Sequence, residues 1–136
     1  MKKTRLFSLI LALLMIFSAF YVTPVTAEEP QDISVYFNVS VGGQIAYGKD
    51  GSMLAFAEAD LSGKETYTLD DAFYALHEKF YEGGADAGYA SADSYWGLSV
   101  IKFWGDESGN FGYQVNAGND YVEGPTHVIK ENDVID

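Results

Sequence analysis

An α+β domain in which one helix packs on a four- or five-stranded sheet is predicted by three observations. Ile33, Val35, Phe37, Val39 and Val41 alternate with Ser34, Tyr36, Asn38 and Ser40, the period of a half-buried strand. Leu69, Ala72, Phe73, Leu76 and Phe80 then recur at helical spacing, one apolar stripe over about three turns. Tyr95 to Gly118, YWGLSVIKFWGDESGNFGYQVNAG, reads as two strands joined by a turn and carries both tryptophans.

The first residues set the compartment. Lys2, Lys3 and Arg5 precede an uncharged apolar run from Leu6 to Phe20, and Val25-Thr26-Ala27 follows as a small-residue cleavage site. The run holds 15 residues, short of the roughly 18 wanted for a membrane span. A secretory signal cleaved after Ala27 is therefore expected, with export as the consequence. Residues 28–32, EEPQD, read as a flexible polar leader, and 33–136 as one domain.

Removing residues 1–27 takes away three of the 8 basic residues and no acidic one, so five remain against 20 acidic, a net charge of −15. Such a field disfavours nucleic acid and anionic membrane surfaces as partners. Cysteine is absent, which excludes disulfides, thiolate catalysis and zinc–thiolate sites. A free, monomeric secreted domain is the default, with surface attachment as the alternative.

Each element has its local reason. Gly42-Gly43 suits a two-residue hairpin loop returning through Gln44 to Tyr47. Lys49 to Ser52 marks a turn, and Met53 to Ala59 a weak strand. Thr68-Leu69-Asp70-Asp71 has capping-box spacing with Asp for Glu, so a helix starts there and Gly83-Gly84 stops it. Ala85 to Ser94 reads as a surface loop. Leu98 to Trp104 and Phe111 to Val115 read as strands joined by Gly105 to Asn110. Lys130 to Asp133 is a turn into Val134-Ile135-Asp136, a strand that reads as cut short.

The order of these elements, with TLDDA at Thr68 to Ala72, YWG at Tyr95 to Gly97, GYQVN at Gly112 to Asn116 and a late Asp133, resembles the transcobalamin-like C-terminal domain family. That is a domain of unknown function in secreted and surface proteins of Gram-positive bacteria, and the resemblance covers most of Ile33 to Ile135. It implies a β-grasp-like fold, a mixed sheet crossed by one helix. Two positions depart from the family pattern: Phe111 stands where Trp is frequent, and Asn132-Asp133 where Gly-Asp is frequent. The resemblance also points to a corrinoid, although the helical domain that completes such a site in vertebrate relatives has no room in this length.

Tyr95, Trp96, Trp104 and Tyr113 are the candidate ligand-binding aromatics, with Asn116 as a polar anchor, because flat rings exposed on strands stack on sugar or macrocycle faces. The competing reading places half or more of the aromatics of this region in the core, since alternate strand residues face opposite ways. Asp106, Ser108 and Asn110 present oxygens at every second position, yet Phe111 stands where a calcium loop needs Gly. A solvated polar turn is the favoured reading. Asp120, Glu123, Glu131 and Asp133 form a further set of acids that the fold would have to gather. His77, flanked by Tyr74 and Tyr81, reads as a polar-aromatic helix edge, and His127 has no partner pattern. Zincin, serine-hydrolase and phosphate-loop motifs are absent.

The expected function is therefore a secreted or cell-surface, non-catalytic binding or adhesion module with no cofactor, recognising a glycan or a corrinoid-like small molecule. The alternative is a structural or protein-interaction module whose last strand is completed by downstream residues or a partner strand. A carboxylate-pair hydrolase ranks third.

Overall fold

The computed structural model describes residues 29–136, so the signal segment 1–27, its cleavage point and Glu28 lie outside the described residues. Glu29 to Asp32 carries no regular secondary structure, and Pro30, Gln31 and Asp32 are exposed.

Period-2 patterning makes β1, Ile33–Phe37, with Ile33, Val35 and Phe37 buried and Ser34 and Tyr36 only partly so. It is the centre of a three-stranded mixed sheet. On one side β4, Ala57–Leu61, runs antiparallel in the register Ile33↔Leu61 to Phe37↔Ala57. On the other, β9, Val134–Ile135, runs parallel with Tyr36↔Val134 and Phe37↔Ile135. Three two-stranded ribbons complete the strands among the described residues. They are β2 (Ser40–Val41) with β3 (Gln44–Ile45), β5 (Tyr67–Thr68) with β8 (Val128–Ile129), and β6 (Ala90–Ser94) with β7 (Gly97–Lys102).

Helix α1, Leu69–Phe80, starts as its sequence dictates. The Asp71 N–H donates to Thr68 Oγ1 at 3.4 Å and the Thr68 N–H to Asp71 Oδ2 at 3.0 Å, so the capping box is reciprocal. Leu69, Ala72, Phe73, Leu76 and Phe80 are buried, and they share one core with Val35, Phe37, Ala59, Val115 and Ile135. A one-turn helix α2, Gly84–Gly88, follows Gly83 at φ 84°. No helix among the described residues is long and apolar enough to cross a membrane.

Four expectations are corrected. Among the described residues the largest sheet has three strands rather than four or five. The weak strand of Met53 to Ala59 lies further on, at Ala57–Leu61, because Phe56 takes φ 58° and breaks the extended run while its ring stacks on Tyr36 at 4.4 Å. Ala85 to Ser94 is not a surface loop but α2 followed by β6.

The fourth concerns the hairpin of Tyr95 to Gly118. Phe111 to Val115 forms no strand, and β7 pairs instead with β6 through the two-residue tip Tyr95-Trp96. A two-residue closure orders less chain than the six-residue Gly105 to Asn110 connection. The chain also reverses at once after β7: Phe103 and Asp106 exchange both backbone hydrogen bonds at 2.9 Å around Trp104-Gly105. Both central residues have positive φ, 52° and 77°, the signature of a type I′ turn.

Candidate functional site

The five candidate residues do not share one surface. Tyr95 and Trp96 form the β6–β7 tip, 92% and 89% exposed, with their rings edge-to-face at 4.9 Å. The tip is braced from below: Ser94 Oγ donates to the Gly97 carbonyl at 2.7 Å and accepts from the Trp96 N–H at 3.2 Å. Two large apolar rings are thus held in water on a closed turn.

Trp104 sits at the other end of β7, beyond Lys102, separated from the tip by that strand's length of roughly 20 Å. Its ring is half-buried, 5.3 Å from His77 and 5.1 Å from Tyr81. The backbone N–H of Trp104 donates to His77 Nε2 at 2.9 Å. Since Nε2 accepts, the proton of the neutral ring resides on Nδ1 and is donated to the Phe73 carbonyl at 2.6 Å.

His77 is fully buried, with Tyr81, Tyr89, Phe103 and Trp104 packed around it. Burial drives its pKa down to about 4, against the weaker opposing pull of the Phe73 carbonyl. The expected polar-aromatic edge is corrected on this point: His77 belongs to the core, and Tyr74 points to solvent. Its spacing of four from Phe73 was the available signal.

Tyr113 is half-buried, edge-on to Phe73 at 5.1 Å, and burial raises its pKa. Asn116 is consumed structurally. Its Nδ2 donates to Asp120 at 2.6 Å and Asp133 at 2.9 Å, and its Oδ1 accepts from the Val134 N–H at 3.0 Å. It clamps the turn at Asn116–Gly118 to β9. Two of the four acids named from sequence are thereby gathered, while Glu131 accepts from the Ser34 N–H.

The Asp106 turn is also self-contained. Ser108 N–H and Oγ donate to its carboxylate at 2.7 and 2.9 Å, holding its pKa below the usual range. Among the described residues no group of three or more His, Asp or Glu is placed to hold a metal.

A cleft of about 330 Å³ lies between the β1–β2 segment and Asn110 to Tyr113. Phe37, Phe73, Phe103, Phe111 and Tyr113 form its apolar walls, with Asn38 and Asp136 at the rim. Asn38 Nδ2 donates to Asp136 Oδ1 at 2.6 Å, and Gln114 Nε2 to Asp136 Oδ2 at 3.2 Å. Sequence reasoning missed this feature because its walls come from four separate stretches of chain. Compared with known proteins, the chain matches no family model, no curated protein and no solved structure.

Proposed function

We propose that this chain is an exported, monomeric, non-catalytic binding module of β-grasp-like architecture, free or attached at the surface of a Gram-positive cell. In this reading its Tyr95-Trp96 tip stacks on the flat face of a neutral glycan or a corrinoid-like macrocycle. The observation that carries the reading is the exposure of the two rings, 92% and 89%, on a turn braced by Ser94. Rings of that size held in water on a closed turn lose little conformational freedom on binding.

Other features support it. The amino-terminal signal pattern suits an exported chain. A helix crossing a sheet whose central strand has one parallel and one antiparallel neighbour is compatible with the β-grasp resemblance. The acidic balance favours a neutral ligand over a phosphate-bearing one. Asp120 and Asp133 do not support a carboxylate-pair hydrolase, because both carboxylates are committed to the Asn116 amide.

Trp104, Tyr113 and Asn116 then support the fold rather than meet the ligand. Titration of neutral oligosaccharides and of a corrinoid into a Trp104→Phe protein, followed by Trp96 fluorescence, tests the reading. A shift abolished by Tyr95→Ala is expected. If none of these ligands moves the Trp96 signal, the tip is not a ligand surface.

A further inference from the structure

We propose that the outer edge of β6 accepts one extended segment of a basic partner protein as an added, antiparallel strand. The inference is independent of what the tip binds and rests on the backbone of the β6–β7 ribbon, which has two strands only among the described residues. Ser94 and Gly97 close the two-residue Tyr95-Trp96 turn as a hydrogen-bonded pair, and the antiparallel ladder alternates from there. Ala92 and Ser99 form the next bonded pair, whereas Asp93↔Leu98 and Ser91↔Val100 are the non-bonded ones. The N–H and C=O groups of Ser91 and Asp93 therefore point away from β7, and those of Leu98 and Val100 away from β6.

Among the described residues none of these groups has a backbone partner outside the ribbon. The two edges differ in what lies beside them. On the β7 side the Leu98 carbonyl is 3.8 Å from where a Cβ on Gly124 would stand, so the loop before β8 runs alongside. The β6 side presents its row of donors and acceptors without the usual guards of an edge strand: ASADS contains no proline and no lysine, and the register shift falls before Ser91 rather than between the two outward residues. A two-stranded ribbon is marginal in water and gains most from a third strand. Such a row is complementary to another extended backbone, whose N–H and C=O groups alternate at the same spacing.

Side chains specify the occupant further. Ser91 and Asp93 share the ribbon face of Leu98 and Val100, and Val100 packs against the core, while Ala92 and Ser94 on the other face are exposed. An antiparallel strand thus sets one side chain opposite Ser91 and another opposite Asp93, each residue exchanging both backbone hydrogen bonds with its partner. Asp93 is exposed and stands outside both ion pairs of the described residues, Lys64–Asp71 and Lys79–Asp60. With a net charge of −12 on the whole chain, a lysine or arginine opposite Asp93 is favoured, and a β-branched residue opposite Ser91. The same charge opposes a second copy as the donor.

The test uses a dye-labelled synthetic peptide alternating threonine with lysine and valine, added to the full chain and followed by fluorescence anisotropy and amide hydrogen exchange. Binding should slow exchange at Ser91 and Asp93 and leave Leu98 and Val100 unchanged. N-methylation of the peptide's ladder amides, or exchange of its lysines for glutamate, should each weaken binding at least tenfold. Asp93→Pro removes an outward N–H that takes no part in the ladder to β7, so it should also weaken binding at least tenfold, and by more than Asp93→Asn, which removes only the charge. The Tyr95→Ala, Trp96→Ala double variant should bind the peptide as wild type does, which separates this edge from the tip. Absence of binding, indifference to N-methylation, loss of binding in the tip variant, or Ser91 and Asp93 amides already protected in a peptide-free dimer would each overturn the proposal.

Discussion

At one end of β7 the chain turns through Tyr95-Trp96 with both rings in water, and at the other through Trp104-Gly105 with the indole folded back on His77 and Tyr81. Both are two-residue turns carrying a tryptophan, yet their strain and their surroundings are opposite. Trp104 takes φ 52°, a left-handed conformation that costs a non-glycine residue about 1–2 kcal/mol. A buried acceptor on its N–H and an aromatic cluster around its ring offset that. Neither Tyr95 nor Trp96 has positive φ, and neither packs on the core. The difference shows that an aromatic's role here is decided by whether helix α1 lies beneath the turn, not by residue type.

Substitution at the locked end should have the largest effect. Trp104→Ala removes half-buried ring contacts and leaves the αL strain, so a loss of about 3–4 kcal/mol in denaturant unfolding is expected.

Acid should reach the same end through His77. Its folded pKa of about 4 lies below the unfolded 6.5, so the unfolded chain binds the proton first. Its contribution is present in full above pH 6.5 and is lost as pH falls from 6.5 towards 4. That interval corresponds to about 3 kcal/mol. Unfolding at pH 7 and pH 4 should show His77→Gln losing less stability than wild type by about that amount.

Gly105→Ala sharpens the contrast from the backbone side. A Cβ there would overlap the Tyr81 hydroxyl, and alanine is strained at φ 77°, so about 2 kcal/mol should be lost. The smallest effect belongs to the exposed end. A Tyr95→Ala, Trp96→Ala double variant should change stability by no more than about 0.5 kcal/mol, measured by the same unfolding curves, while abolishing any glycan or corrinoid signal.

Local rules made much of the frame legible in the sequence. Thr68 and Asp71 announce the start of α1, Gly42-Gly43 closes β2 on β3 at φ 60° and 78°, and Asn132 takes φ 66° in the late turn. What escaped was non-local. Strand β6, ASADS, has little strand propensity and exists because β7 pairs with it across a short tip. His77 is buried because Phe103 and Trp104 return over α1, a placement that helical periodicity does not contain. Asn116 looked like a free polar anchor until Asp120, Asp133 and Val134 claimed its amide. The cleft could not be read at all, since Phe37, Phe73, Phe103 and Phe111 meet only after the chain folds.

Acrylamide quenching of the two single-tryptophan proteins, Trp104→Phe and Trp96→Phe, tests most directly the division of β7 into a presented end and a locked end. Trp96 should be quenched in the native protein almost as readily as in the unfolded chain, and Trp104 should be protected until unfolding. Equal quenching of the two in the native state would contradict that division.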